Sequence, residues 1–181
     1  MNDRNYRKRA WPFLEKDFES RCAYSMRHVV RSGERCMEVD HFNPTLTGAR
    51  RNRYSNLMLA TRLCNNFKQH SWPVAELRQK GIRFLNPTEE QDYGVQIFED
   101  PQTHQLIGTT PAAKYHIDVL GLNDPSFIEE RKDRAMLAKF TRAEKAFLVG
   151  AFDDLEAGLR QFQEMLEKMI PPIPPPPEEY P

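Results

Sequence analysis

Asp40 and His41 close the short half-apolar stretch Cys36-Met37-Glu38-Val39. The alternation there is that of a short strand, and Asn43-Pro44 just beyond is a turn signal. An ionisable pair where a strand gives way to a loop is held rigidly and stays reachable. Asn56 follows His41 by 15 residues and Asn65 follows it by 24, with Lys68 three beyond Asn65 and on the same face of any helix. A carboxylate, an imidazole, two amides and an ammonium suit phosphodiester hydrolysis. A hard divalent ion takes oxygen ligands, which Asp40 and the amide oxygen of Asn65 can supply. His41 can take the proton from an attacking water. The ion would polarise the phosphate and stabilise charge on the leaving oxygen. Singly, each residue has a plainer reading: an ion pair for Asp40-His41, a helix cap for Asn56, a helix surface for Asn65.

Positioning this set takes one strand, one loop and one helix. The strand is read over residues 36 to 42. A polar loop follows over 43 to 53, containing Gly48 and Arg50, Arg51 and Arg53. A helix either opens near Ser55 or Asn56 and runs through LMLATRLCNNFKQH, or starts at Leu63 after an irregular lead. Ahead of the strand lie a basic arm, residues 1 to 12, with Tyr6 and Trp11, and a mixed segment around Cys22-Ala23-Tyr24-Ser25. A short helix is expected between Trp72 and Phe84, and Asn86-Pro87 ends this half. Beyond it, YGVQIFED and LIGTT read as a hairpin turning at PQTHQL. AAKYHIDVLGLNDPSF reads as a strand or short helix ending at Gly121. From Ser126 to about Ile170 the apolar spacing is helical, as one long helix or two broken near Gly150. The tail PPIPPPPEEYP is expected to be extended, as a spacer or a partner-binding segment.

The charge is divided. Residues 1 to 87 hold 17 Lys and Arg against 8 Asp and Glu, and residues 88 to 181 hold 9 against 18, so a net of zero hides +9 and −9. A basic half is what a polyanion binder needs, although two halves of opposite sign can also simply face each other. There is no run of 18 apolar residues, so no membrane span is expected. MNDRNYRKRA has no apolar core of the secretory kind. Three cysteines, an odd number, fit a reducing compartment and argue against a disulfide framework. The expected location is the cytoplasm.

VDHFNPTLTGARRNRYSNLMLATRLCNNFKQ resembles the core motif of the HNH endonucleases, the ββα-metal nuclease superfamily. That pattern runs through a D-H pair, Pro, a Gly-containing loop, N-L and C-N-x-x-K. Here Asp40-His41, Pro44, Gly48, Asn56-Leu57, Cys64-Asn65 and Lys68 occupy it, within a match from Cys22 to Lys68. The resemblance implies two antiparallel strands and a helix clasping one Mg2+ (or Mn2+). It makes Asp40 and Asn65 the metal ligands and His41 the general base. Asn56 becomes the residue that ties the loop and orients the histidine, and Lys68 a residue near the phosphate or the metal. It implies DNA as substrate and products ending in a 3′-hydroxyl and a 5′-phosphate.

One feature departs from the pattern. Many HNH proteins hold a structural zinc with two Cys-x-x-Cys pairs. Here the pairs read Cys22-Ala23-Tyr24-Ser25 and Thr61-Arg62-Leu63-Cys64, and a neutral hydroxyl is a poor zinc ligand. Structural Zn2+ is therefore not expected, and hydrogen bonds with apolar packing are expected in its place. YHIDVLGLNDPSFIEERKDR resembles, more loosely, a segment of bacterial HNH proteins that pair with an ATPase in defence against phage. That implies a protein partner docked on the C-terminal helices.

The resulting expectation is an α+β protein: a small ββα-metal nuclease core with a mainly helical C-terminal module. Residues 1–87 would form the nuclease domain with its basic arm, 88–170 a hairpin plus helices for a partner or an oligomer, and 171–181 a proline-rich tail. The competing expectation is a DNA-binding or scaffold subunit that keeps the nuclease shape and cuts nothing. A guide-directed nuclease ranks below both, since no RNA-binding module is visible. His28, His70, His104 and His116 have no assigned role.

Overall fold

In the computed structural model the chain is α+β, with residues 5–148, 156, 159–160, 163–164 and 172–177 described. Helix α1 (Tyr6–Asp17) takes up half of the expected arm. Pro12 lies inside it and removes one backbone donor. Burial of Ala10 and Leu14 against the core holds the helix regardless. A single turn, α2 (Val29–Ser32), precedes strand β1 (Met37–His41), and another, α3 (Gly48–Arg51), lies in the loop beyond it.

Strand β2 (Leu57–Thr61) pairs antiparallel with β1, in a register running from Met37 opposite Thr61 to His41 opposite Leu57. Here the structure departs from a helix opening at Ser55 or Asn56. All five residues of LMLAT are buried, so the segment shows no alternation, and a uniform apolar run does not distinguish strand from helix. The helix starts within one residue of the Leu63 alternative, as α4 (Arg62–Lys68), capped by Thr61, whose hydroxyl accepts from the Cys64 N–H. Between Trp72 and Phe84 only α5 (Ala75–Gln79) is helical.

The second half follows the expected hairpin. Strand β3 (Ile97–Glu99) pairs antiparallel with β4 (Leu106–Gly108). The next segment resolves as a helix, α6 (Pro111–Val119), because Thr110 caps it and Pro111 occupies its first turn. Helix α7 (Pro125–Leu148) carries the start of the long helical pattern. The break considered near Gly150 lies outside the described residues. No described helix is long and apolar enough to cross a membrane.

The two oppositely charged halves face each other across one apolar core that runs from Leu14 and Tyr24 to Leu120 and Phe127. Arg27 pairs with the buried Glu130 and lies 4.3 Å over the Phe127 ring. Tyr93 donates its hydroxyl to the Tyr24 carbonyl at 2.5 Å. His116, fully buried, accepts from the Leu85 N–H at 3.2 Å, and burial drives its pKa down to about 3, so the ring stays neutral. The Leu-Gly-Leu-Asn segment has work inside the chain as well. Leu122 is buried, and the Asn123 amide accepts from Leu106 N–H and donates to Leu106 C=O. The described part of the tail has no regular secondary structure. It lies on the body, with Ile173 in the core and the Pro174 carbonyl accepting from the Glu99 N–H at 3.0 Å.

Gly108 is where the second hairpin meets α6. A Cβ there would stand 2.5 Å from the Lys114 nitrogen and 2.7 Å from the Ala113 carbonyl carbon. Both are backbone atoms, which cannot swing aside as a side-chain tip can. Gly108→Ala is expected to cost about 1–3 kcal/mol through overpacking, read as a lowered urea midpoint. An unchanged midpoint would mean that hairpin and helix separate freely.

Candidate functional site

The end of β1, the loop around α3 and the C-terminal half of α4 meet at a cleft of about 360 Å³. Asp40, His41, Pro44, Arg51 and Asn65 line it, and α1 contributes Arg7 to its wall. All five residues singled out by type and spacing thus meet around one place: Asp40, His41 and Asn65 on its lining, and Asn56 and Lys68 behind it.

Asp40 is anchored by one oxygen. Its Oδ2 accepts from the Tyr24 hydroxyl at 2.6 Å and lies 2.9 Å from the Lys68 Nζ. Its Oδ1 carries no hydrogen bond among the described residues. Burial pushes the Tyr24 pKa well up, and the Asp40 charge adds to this, so the phenol stays protonated and donates. Lys68 is fully buried and lies behind the lining. Besides Asp40, its ammonium donates to the His41 carbonyl at 2.7 Å. It acts by holding the two adjacent strand residues. Burial lowers its pKa, and the Asp40 carboxylate opposes that.

Asn65 is anchored in the same manner. Its Nδ2 donates to Glu38 Oε2 at 2.6 Å, and Glu38 is held by Arg62 at 2.9 Å. Burial raises the Glu38 pKa, but the bonds from Asn65 and Arg62 outweigh it and keep the carboxylate ionised. With the amide nitrogen committed to Glu38, the oxygen of Asn65 is turned away from it. Two hard oxygens, Asp40 Oδ1 and Asn65 Oδ1, therefore belong to residues lining one cleft. This donor set fits a small divalent ion that keeps several waters and shares a substrate phosphate. Among the described residues no three or more His, Cys, Asp or Glu side chains form a metal-binding group.

Asn56 does not face the cleft. Buried behind it, its Oδ1 accepts from Asn43 N–H at 2.8 Å, and its Nδ2 donates to the carbonyls of Asn43 and Arg51. One amide thus ties both ends of the loop that leaves β1. His41 sits beneath Tyr6, with ring centroids 5.2 Å apart, and its Nε2 lies 2.9 Å from Asn52 Oδ1. Burial lowers the His41 pKa, the Asn52 bond opposes this, and the charge of Arg51 adds to the lowering. The imidazole is neutral near pH 7 and able to accept a proton.

Four contributors are missing from a reading by motif: Tyr24, Glu38, Asn52 and Arg7. Glu38 had a signal, since it lies two residues before Asp40 and hence on the same face of the strand. Asn52 sits among three arginines, where it looks like loop polarity.

The four positions of the broken Cys-x-x-Cys pairs do come together. Cys22 Sγ accepts from Ser25 N–H at 3.4 Å and from the Thr61 hydroxyl at 3.8 Å. Burial raises the Cys22 thiol pKa, but the bonds from Cys64 and Ser25 bring it down to about 6, and burial holds that of Cys64 well up. Two thiols and two hydroxyls occupy this place, beside the strand pair and under the start of α4.

A second groove, of about 470 Å³, adjoins the first and shares Arg7 and Val39 with it, with Trp11 and Lys8 along its side. Comparison of the chain with family models, with curated proteins and with solved structures found no match.

Proposed function

We propose that the protein is a metal-dependent endonuclease that hydrolyses DNA phosphodiester bonds at the cleft between β1 and α4. The observation that carries the reading is the convergence of Asp40, His41 and Asn65 on one lining, each held by a different buried or half-buried partner. A merely solvated set would not be braced so fully, and bracing is what fixed catalytic geometry requires. Asp40 and Asn65 would hold Mg2+ or Mn2+. When bound, that ion supplies a positive charge that polarises the phosphate and stabilises the developing negative charge.

His41 takes a proton from water as the water oxygen bonds to phosphorus. The P–O3′ bond breaks, the 3′ oxygen picks up a proton from solvent, and a 5′-phosphate is left. Arg7 and Arg51 on the lining meet the backbone phosphates, contacts that position a duplex without reading its sequence. The adjoining groove gives the strand a path past Trp11. The free cysteines fit a reducing compartment, the cytoplasm. A protein partner on the C-terminal helices remains part of this proposal and rests on the resemblance of the Leu-Gly-Leu-Asn segment alone.

The test is supercoiled plasmid incubated with the full chain in Mg2+, in Mn2+ and in EDTA. Nicking or linearisation that EDTA abolishes is the expected result. No cleavage in either metal would favour the silent DNA-binding or scaffold subunit. Arg51→Ala should weaken DNA binding for all sequences alike and reduce the slope of log affinity against log salt by about 1, as measured by fluorescence anisotropy. A slope that stays put would remove Arg51 from the phosphate contacts.

A further inference from the structure

Asn52 matches no element of the pattern that singled out the other residues, yet its side chain is what His41 meets. The Oδ1 of Asn52 stands 2.9 Å from His41 Nε2. A carbonyl oxygen only accepts, so the nitrogen facing it must bear the proton. In a neutral imidazole the other ring nitrogen then carries the lone pair. Among the described residues nothing hydrogen-bonds to His41 Nδ1.

Asn52 is itself placed by the loop. It directly follows α3, and the carbonyl of its neighbour Arg51 is held by Asn56 Nδ2 at 2.9 Å. Asn56 fixes the loop, the loop fixes Asn52, and Asn52 grips the ring. The backbone of His41 is fixed from the opposite side by Lys68, and Tyr6 lies against the ring. The imidazole therefore has one nitrogen committed and one available.

We infer that Asn52 is a positioning residue that locks His41 in the Nε2–H tautomer and reserves Nδ1 to take the proton of the attacking water. The catalytic half of this inference rests on the nuclease reading, while the tautomer does not. A base in the wrong tautomer offers a donor where the reaction needs an acceptor, and the reaction then waits on the minor form.

The experiment uses the full chain with 15N-labelled histidine. Long-range 1H–15N correlations report the proton position on each ring, and His41→Ala identifies the His41 signals. The wild-type ring is expected as Nε2–H, and Asn52→Ala is expected to show a mixture of tautomers. In the plasmid assay Asn52→Ala should lower kcat by about 10–100-fold, by analogy with the loss of the hydrogen-bond partner of a metal-ligating histidine, with KM little changed. Asn52→Asp keeps the acceptor and should restore both the tautomer and most of kcat. A wild-type ring protonated at Nδ1 overturns the inference. So does an Asn52→Ala protein with unchanged tautomer and unchanged kcat. An Nε2–H ring in a protein that cuts nothing under any metal would sink the nuclease reading while upholding the grip of Asn52 on the ring.

Discussion

His41→Ala is expected to lower metal-dependent cleavage by roughly 10²–10⁴-fold, the usual worth of a positioned general base, while leaving DNA affinity nearly unchanged. The separation follows from the geometry. The cleft's cationic residues, Arg7 and Arg51, sit on α1 and α3, and neither contributes to holding the imidazole by hydrogen bond. Asp40 and Asn65 keep their own anchors, Tyr24 with Lys68 and Glu38, when the imidazole is gone. Binding and metal affinity should persist, and only the acceptor for the water's proton is lost. The measurement is initial nicking rate beside anisotropy on the same protein. A mutant that cuts at the parent's rate rules out His41 as the base. A mutant that loses binding in step with cleavage shows instead that the ring holds the loop.

What the sequence discloses of this cleft is the residues of the proposed chemistry rather than their support. Asp40, His41 and Asn65 were legible because their types suit one reaction and their order follows a known pattern. Their braces were not. Tyr24 comes from a segment 16 residues before Asp40, and nothing in a tyrosine's surroundings announces that its hydroxyl will meet a carboxylate. Glu38 looks like the polar side of an alternating strand, yet it orients the Asn65 amide. The fold shows the same division. Hairpin β3–β4 was visible through alternation and turn residues. Strand β2 was hidden from the periodicity because all five of its residues are buried and no period survives, although the resemblance implied a second antiparallel strand. The opposite charges of the two halves left open whether they serve separate partners. Arg27 on Glu130 and over Phe127 shows that some of that charge is spent within the chain.

Lys68→Met should destabilise the protein by about 3–5 kcal/mol, the cost of removing one partner of a buried ion pair. Methionine roughly preserves the volume, so the loss comes from charge rather than from a cavity. The ammonium of Lys68 has two partners, Asp40 Oδ2 at 2.9 Å and the His41 carbonyl at 2.7 Å. Without it Asp40 keeps a single hydrogen bond, from Tyr24, to support a buried carboxylate. Urea unfolding of Lys68→Met, of Asp40→Asn and of the double mutant apportions the effect. The double mutant should be more stable than Lys68→Met alone, because a neutral amide no longer needs the cation. Additive losses would mean that the two side chains do not interact in solution, whatever their separation in the structure. The result also bears on function. An ammonium hydrogen-bonded to Asp40 and the backbone of His41, and lying 5.7 Å over the Phe84 ring, cannot take the substrate phosphate without abandoning both polar partners. Its contribution to cleavage must therefore come through the placement of Asp40 and of the His41 backbone. Lys68→Met should accordingly raise the Mg2+ concentration needed for half-maximal cleavage, under conditions where the mutant remains folded. A scaffold that had kept this pair only for its fold would show the stability loss and no metal dependence to shift.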